Sequence, residues 1–193
     1  MSSVMPNLAA LKGREIVIGV CGGIAAYKVA DLVSKLVQAG AGVTICMTDN
    51  AKQFVTPVTF QALTHRPVHT TMWQADSSSV LDHLGLTEKA DLMLIAPATA
   101  NIIAKAACGI CDDLVSTMIC ASACPVIFAP AMNTRMWQNP VCRENVTKLQ
   151  KLGYRFIGPE EGFLAERTIG PGRLSEPQTI LAELAVLLVN SPR

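Results

Sequence analysis

The sequence contains few charged residues: only 16% of its 193 residues are Asp, Glu, Lys or Arg, whereas half are apolar. The formal net charge is +1, and no basic or acidic run stands out. Strong electrostatic attraction to nucleic acid or to an anionic membrane is therefore not expected. A chain with so little charge is instead expected to bury part of its surface against copies of itself.

Long apolar segments are also lacking. The N-terminal residues do not show the cationic start and apolar run of a secretory signal, and the apolar stretches are strand-length and interrupted by Gly, Pro or Asp. We therefore expect a cytoplasmic protein that does not span a membrane. The length fits one domain over residues 1–193, with a flexible N-terminus over residues 1–12.

Histidine is absent near the two close cysteine pairs, Cys108 with Cys111 and Cys120 with Cys124. The spacing within each pair would suit a metal site, but the neighbouring Ala, Ile and Val residues predict buried helices with these cysteines as small apolar core residues. The total of seven cysteines is odd, and disulfides are not expected in the cytoplasm. We expect neither a metal nor a disulfide.

The sequence does contain a regular alternation of apolar strands and amphipathic helices. This alternation predicts an α/β fold, a three-layer, doubly wound parallel sheet of the flavodoxin or Rossmann type. Loops are predicted around His65 and His69 and at residues 74–79, and residues 158–174 are Gly-rich and predicted to be irregular. The predicted strands are 14–20, 43–47, 92–96, 126–129 and 154–157, and the main predicted helices are 24–39, 57–63, 98–107, 112–123, 140–152 and 177–189.

A glycine turn follows the first predicted strand, in the segment GVCGGIAAYK (residues 19–28). Gly22, Gly23 and Ile24 lead into a helix, whose free N–H groups and positive dipole end suit a phosphate. The pattern is not G-x-G-x-x-G, and Thr48 rather than an acidic residue follows the second strand, which favours a mononucleotide over a dinucleotide. A tight turn without any ligand is the alternative interpretation.

Two further strand ends carry similar sequences, APATAN (residues 96–101) and APAMN (residues 129–133). In the first, Thr99 can cap a helix, and Asn101 projects from its first turn. In the second, Ala131 precedes Met132 and Asn133. Carboxyl ends of parallel strands meet at one sheet edge, so we predict that both segments contribute to a single ligand site.

His83 lies shortly before the strand predicted at residues 92–96. Histidine is the side chain best suited to proton transfer near neutral pH, so His83 is a candidate catalytic residue. A structural histidine on an apolar stretch is the alternative. His65 and His69 are given no role.

The segments GVCGGIAAYK, APATAN, GICDDLVST (residues 109–117) and APAMNTRMWQNP (residues 129–140) resemble those of the flavin-dependent cysteine decarboxylases, especially the phosphopantothenoylcysteine decarboxylases of coenzyme A synthesis. The resemblance implies flavin mononucleotide (FMN) as cofactor and conversion of 4'-phosphopantothenoylcysteine to 4'-phosphopantetheine. It makes His83 the catalytic base and Asn133 the group that binds the substrate carboxylate. The implied flavin-binding residues are Gly22, Gly23, Ile24, Thr48, Ala98, Thr99, Ala100, Asn101 and Ala131.

The resemblance also implies a homo-oligomer, a trimer or a dodecamer, with flavin at a subunit interface. Residues 158–174 correspond to a flap over the substrate, and Met132, Asn133, Arg167 and Arg173 are expected to contact substrate. In this chemistry, oxidation of the cysteine moiety to a thioaldehyde provides the electron sink for loss of carbon dioxide. The chain is short for a fused phosphopantothenoylcysteine synthetase, so we expect that activity on a separate protein.

One position departs from the family pattern. Phosphopantothenoylcysteine decarboxylases carry a proton-donating cysteine followed by glycine in the flap, where this chain has Glu166 and Arg167. Glu166 is therefore a candidate proton donor. Alternatively, the reaction stops at an enethiol, as in oxidative decarboxylases of peptidyl-cysteine. A flavin prenyltransferase and a non-catalytic flavoprotein subunit are further alternatives.

Overall fold

The computed structural model describes residues 8–73 and 82–189, with residues 82–84 described by their backbone alone. Its main sheet is parallel, in the order β3-β2-β1-β4-β5-β6. The winding of the chain reverses between β1 and β4, and a crevice opens at such a switch point beyond the strand ends. The strands are β1 (Glu15–Val20), β2 (Gly42–Met47), β3 (Val68–His69), β4 (Leu92–Ala98), β5 (Val126–Pro130) and β6 (Arg155–Phe156).

Helices cover both faces of this sheet. Alternate strand residues point to opposite faces: Ile16 and Ile18 pack toward α1 and α8, and Val17 packs toward α4, α5 and α7. The three-layer, doubly wound fold predicted from the sequence is therefore confirmed. The helices are α1 (Ala26–Gln38), α2 (Pro57–Thr64), α3 (Asp82–Lys89), α4 (Ala100–Cys108), α5 (Leu114–Ala121), α6 (Thr134–Gln138), α7 (Pro140–Lys151) and α8 (Pro177–Val189).

The segment at residues 158–174 contains a β-hairpin, so the prediction of an irregular segment is wrong. Strands β7 (Glu160–Phe163) and β8 (Ile169–Arg173) pair antiparallel outside the main sheet. Gly172 has φ +136°, and an added Cβ would collide with the carbonyl oxygen of Met132. The Met132 N–H donates to the Gly172 carbonyl at 2.9 Å. The glycine content therefore allows close docking of the hairpin against the segment after β5.

Several local predictions also need correction. Residues Leu8–Leu11, expected to be flexible, form a 3-10 helix, because Leu11 is fully buried in the core beside α8. His69 lies in β3 rather than in a loop. Helix α6, which follows β5 directly, was not predicted, because its pattern is too short to show a helical period. The loop predicted at residues 74–79 lies outside the described residues.

The cysteines predicted to be buried in two helices are mostly at the surface. Cys108, Cys111 and Cys120 are exposed, and Cys124 is partly buried. Cys108 ends α4 and Cys120 lies near the end of α5, so both stand beyond the part of each helix that packs on the sheet. Within the described residues, no cluster of three or more His, Cys, Asp or Glu could hold a metal ion. In the same residues no helix is long and apolar enough to cross a membrane.

Candidate functional site

A cavity of about 1020 Å³ opens beyond the carboxyl ends of β1, β2, β4 and β5. The strand-end segments form one side of it, and the β7–β8 hairpin forms the other. The structure thus brings the strand-end segments together at one cavity, and the binding of a ligand there stays a prediction. The predicted site residues that line the cavity are Gly22, Gly23, Ile24, Thr48, Thr99, Ala100, Asn101, Ala131, Met132, Asn133, Glu166 and Arg173.

Two predicted site residues, Ala98 and Arg167, are not among those that line the cavity. Ala98 is the last residue of β4, not part of a helix, and its side chain is fully buried in the core beneath α4. Arg167 is exposed at the end of the hairpin turn, beyond Glu166. The side chain of His83 lies outside the described residues; its backbone belongs to the first turn of α3, which packs against β1 and α5.

The glycine turn forms the floor of the cavity at the N-terminus of α1. The N-cap residue Ala25 provides no side-chain cap, and in the first turn of α1 the N–H groups of Ala26 and Lys28 donate to the carbonyls of Gly23 and Ala25 at 2.9 and 3.0 Å. An added Cβ at Gly22 would lie 2.9 Å from the backbone carbon of Asn50, which explains why glycine is needed there. At Gly23 an added Cβ would meet only ordinary contacts, 3.7 Å from Thr99. The packing of the protein alone therefore does not require Gly23.

Two threonine hydroxyls at the cavity wall accept hydrogen bonds from backbone N–H groups. Thr48 accepts a hydrogen bond from the Ala51 N–H at 3.3 Å, and Thr99 caps α4 by accepting from the Ile102 N–H at 3.4 Å. Each hydroxyl oxygen accepts from the backbone, so its own proton is left to donate to a ligand. With the small side chains of Ala100 and Ala131 beside them, these groups suit a flat ring with polar edges.

Asn133 and Glu166, two residues predicted from different parts of the sequence to be catalytic, are hydrogen-bonded. Asn133 caps α6, and its Oδ1 accepts from the Arg135 N–H at 2.7 Å. Its Nδ2 donates to Oε1 of Glu166 across the cavity. The fold therefore brings a neutral amide and a carboxyl group together at the hairpin side of the cavity.

The cations that line the cavity are paired with carboxylates. Lys28 and Arg173 each lie 3.2 Å from Glu176, and Arg173 also contacts Glu160 at 3.2 Å. The positive charges of Lys28 and Arg173 are thus balanced by carboxylates at this rim of the cavity.

Lys105 forms the other charged group, with Asp112 at 2.5 Å and Asp113 at 2.6 Å. Burial opposes the charge on Lys105, but its hydrogen bonds to the two aspartates outweigh this and raise the pKa of the ammonium group. Burial likewise opposes the charge on Asp113, yet hydrogen bonds from Lys105 and Ser116 lower the pKa of its carboxyl group. Asp113 also forms a capping box with Ser116 at the start of α5.

The one cysteine that lines the cavity is a poor replacement for the missing flap thiol. Cys21 is buried, and desolvation, with Asp113 nearby, raises the pKa of its thiol to about 12. A thiol that holds its proton so firmly is a weak acid at neutral pH. This leaves Glu166 as the acidic group closest to Asn133.

Two buried polar atoms lack hydrogen-bond partners in the part of the chain that the structure describes: Oγ1 of Thr134 and Nε of Arg173. Oγ1 of Thr134 lies where Gly170 of the hairpin packs on the start of α6, and Nε of Arg173 lies within the hairpin itself, against Gly162 of β7. The buried polar groups of the site are thus less completely hydrogen-bonded at the hairpin than at the strand ends.

Several residues that line the cavity were not predicted from the sequence. Lys28 belongs to the GVCGGIAAYK segment and lies in the first turn of α1, and Lys105 lies four residues after Asn101 on α4. Helical spacing alone would have placed both on the correct face. Tyr27 and Phe163 gave no such signal, because each is an exposed aromatic residue at the cavity mouth.

Comparison with known proteins agrees with this geometry. The Flavoprotein family matches residues 5–188. The coenzyme A biosynthesis bifunctional protein CoaBC of Bacillus subtilis (strain 168) is 47% identical over 171 residues, which are 89% of this chain and 42% of CoaBC. The chain thus spans less than half the length of that relative.

A second relative matches over nearly its whole length. A probable phosphopantothenoylcysteine decarboxylase of Streptococcus mutans (serotype c, strain ATCC 700610 / UA159) is 40% identical over 173 residues, 89% of this chain and 97% of that protein. The crystal structure of the FMN-dependent cysteine decarboxylase SpaF superposes with a TM-score of 0.80 and 31% identity, covering 93% of this chain and 99% of SpaF. The chain belongs to the Flavoprotein family and, within it, to the flavin-dependent cysteine decarboxylases.

Proposed function

We propose that the protein is an FMN-dependent decarboxylase that converts 4'-phosphopantothenoylcysteine to 4'-phosphopantetheine. The observation that carries this proposal is the amide of Asn133: it is oriented to bind a carboxylate in the same cavity that holds the glycine turn. The similarity to a probable phosphopantothenoylcysteine decarboxylase over almost all of that protein supports the substrate.

The residues of the cavity fit a flavin mononucleotide. The glycine turn at the N-terminus of α1 offers backbone donors to a single phosphate, and Thr48 and Thr99 offer hydroxyls to the ring and ribityl groups. A volume of about 1020 Å³ leaves room for both a flavin and part of a substrate. When bound, the flavin supplies the oxidation of the cysteine moiety that makes loss of carbon dioxide possible.

Three side chains of the site then have defined roles in the reaction. Asn133 holds the substrate carboxylate by neutral hydrogen bonds, which stabilise the departing group less than a cation would and so do not oppose its loss. His83 accepts a proton from the substrate during oxidation. Glu166, the acidic partner of Asn133, donates a proton to the substrate carbon after carbon dioxide has left.

Self-association is part of this proposal, as a trimer or a dodecamer. Four apolar side chains around the cavity mouth are about half exposed or more: Ile24 57%, Tyr27 60%, Met136 48% and Phe163 64%. Covering such a rim by another subunit would remove apolar area from water and enclose the ligand. Sedimentation analysis is expected to give a multiple of three chains.

The test of the proposal is the product. Purified protein is expected to be yellow, and incubation with 4'-phosphopantothenoylcysteine should give a product that has lost only carbon dioxide, as measured by mass spectrometry. A product that has lost carbon dioxide and two hydrogens would identify oxidative decarboxylation instead. Because Glu166 stands where the family pattern has a proton-donating thiol, a peptide ending in cysteine is the second substrate to assay. A colourless protein that takes up no FMN would contradict the proposal.

The role of His83 has its own test. Replacing it by Asn (His83→Asn) should lower decarboxylation by at least about 100-fold while FMN stays bound, because a positioned base contributes about that much. His65→Asn is the matched control, since His65 is exposed at the end of α2 in a left-handed conformation that Asn adopts readily. Turnover of His83→Asn at the rate of the unmodified protein would remove this residue from the mechanism.

A further inference from the structure

The Asn133 amide has only one orientation that satisfies its neighbours. Its Oδ1 accepts from a backbone N–H, that of Arg135, at 2.7 Å, and a backbone N–H can only donate. The amide –NH2 group must therefore face the opposite direction, where it donates to the Glu166 carboxylate. Asn133 thus already binds a carboxylate, and that carboxylate belongs to the hairpin of its own chain.

Glu166 forms no ion pair within the part of the chain that the structure describes, where its hydrogen-bond partner is the neutral Asn133. The cations nearest to Glu166 in sequence or on the neighbouring helix are Arg167, in the same turn, and Arg135, on α6. The three cations that line the cavity are each paired with other carboxylates: Lys28 with Glu176, Arg173 with Glu160 and Glu176, and Lys105 with Asp112 and Asp113. A second carboxylate that arrives at Asn133 would therefore meet an uncompensated negative charge.

Two carboxylates at one neutral donor repel each other strongly unless they share a proton. We propose that Glu166 takes up one proton from solvent when a substrate carboxylate binds at Asn133, and that the two carboxyl groups share it. The inference rests on the proposed function, because that function places the substrate carboxylate at Asn133. In this proposal, binding of the substrate carboxylate causes the protonation of Glu166.

The stoichiometry of the reaction agrees with this assignment. Replacing a carboxylate by hydrogen consumes one proton for each carbon dioxide released, so one proton must enter the site in every cycle. If the proton enters as the substrate binds, Glu166 carries it until the C–C bond breaks and then donates it to the substrate carbon. The Glu166 carboxylate is then free to return to the Asn133 amide, as the structure has it.

Isothermal titration calorimetry tests the proposal without turnover. The flavin-loaded protein is titrated with 4'-phosphopantothenoylserine, in which a hydroxyl replaces the thiol, in buffers of different ionisation enthalpy near pH 6. We expect uptake of roughly one proton. The ligand phosphate also titrates near pH 6 and can take up a proton of its own on binding. The matched control ligand, 4'-phosphopantothenoylethanolamine, carries the same phosphate but lacks the carboxylate, so the proton uptake measured with it is subtracted.

The variant Glu166→Gln keeps the size and hydrogen-bonding capacity of the side chain but cannot take up the proton. It should bind the serine ligand with almost no carboxylate-dependent uptake. Above about pH 6 the affinity of the unmodified protein for this ligand, measured relative to the control ligand, should fall by up to about tenfold per pH unit, because solvent must supply a proton to each complex. The same ratio should stay constant for Glu166→Gln.

The outcomes separate this inference from the proposed function. Tight binding of the serine ligand to the unmodified protein without proton uptake would overturn the inference alone, as would an uptake that persists in Glu166→Gln. Failure of the serine ligand to bind both the unmodified protein and Glu166→Gln would overturn the proposed substrate and the inference together.

Discussion

The two sides of the cavity are built differently. The strand-end side is formed by turns that continue directly from buried strands, and its polar groups are fixed by capping hydrogen bonds. The hairpin side is a two-stranded ribbon whose turn is exposed, and the two unpartnered buried polar atoms of the described residues lie within it or against it. The side with fixed polar groups suits a cofactor that stays bound, and the side with unpartnered polar groups suits a substrate that enters and leaves.

This difference agrees with where the sequence follows its family. The strand-end segments keep the motifs that carry the resemblance, whereas Glu166 and Arg167 replace the cysteine and glycine of the flap. Substitutions on the strand-end side should therefore change the retention of the cofactor, whereas substitutions on the hairpin side should change stability or substrate binding.

The largest effect is expected from Gly22→Ala. The added Cβ would lie 2.9 Å from the backbone carbon of Asn50, and backbone cannot move aside as a flexible side chain can. We expect loss of FMN retention, measured by the visible absorption of the purified protein, and a fall in the free energy of unfolding of about 2 kcal/mol or more.

Gly23→Ala is the control for this prediction. Its added Cβ meets only ordinary contacts, 3.7 Å from Thr99, so the fold should be retained and only the space in the cavity reduced. Equal destabilisation by the two substitutions would show that the turn tolerates no side chain at either position and that the distinction drawn between them is wrong.

A smaller effect of the opposite sign is expected from Arg167→Gly. Arg167 has φ +64°, a left-handed conformation at the end of the hairpin turn that costs a non-glycine residue about 1 kcal/mol. Glycine adopts it without strain, so the free energy of unfolding should rise by up to about 1 kcal/mol. Thr168→Gly, at a neighbouring exposed position without positive φ, should lower it. Thermal denaturation that ranks the two variants in the reverse order would contradict the prediction.

The smallest effect concerns Asp113 and depends on pH. Its carboxyl pKa is lowered in the folded state, so its charge stabilises the fold above the ordinary aspartate pKa of about 4, and this contribution is lost as pH falls through the lowered value. Asp113→Asn keeps a capping side chain and removes the charge. The difference in unfolding free energy should be about 0.5 kcal/mol at neutral pH and should disappear as the pH falls through the lowered pKa of Asp113.

Asp112→Asn serves as the comparison for Asp113→Asn. Asp112 also pairs with Lys105, but its side chain is 59% exposed and does not cap α5, so its effect should be smaller at every pH. A larger effect at Asp112 would mean that the ion pair with Lys105, rather than the capping interaction, dominates.

The sequence predicted the strand-end side well because its signals are local. Apolar β-branched runs, a glycine turn and Pro-Ala-Asn segments each constrain their own stretch of chain, and a parallel sheet then brings them to one edge. The error at Ala98 came from the helix start: the strand continues through this residue, and Thr99 rather than Ala98 begins the capping of α4.

The hairpin could not be predicted in the same way. Strands β7 and β8 are short and contain glycines, and Gly172 is required by its contact with Met132, which is distant in sequence. The hydrogen bond between Asn133 and Glu166 likewise joins residues whose proximity depends on the docking of the hairpin. The exposure of Cys108 and Cys120 was missed because α4 and α5 are mostly apolar, so a cysteine in them does not mark an exposed face.

The hydrogen bond between the Met132 N–H and the Gly172 carbonyl has a mechanical consequence. It anchors the hairpin near the base of β8, while the turn at the other end reaches over the cavity. Toward the turn the hairpin is attached again, where Gly170 packs on Thr134 and Asn133 donates a hydrogen bond to Glu166. Breaking the hydrogen bond between Asn133 and Glu166 would therefore release the tip of the turn, while the base of β8 stays attached to the segment after β5.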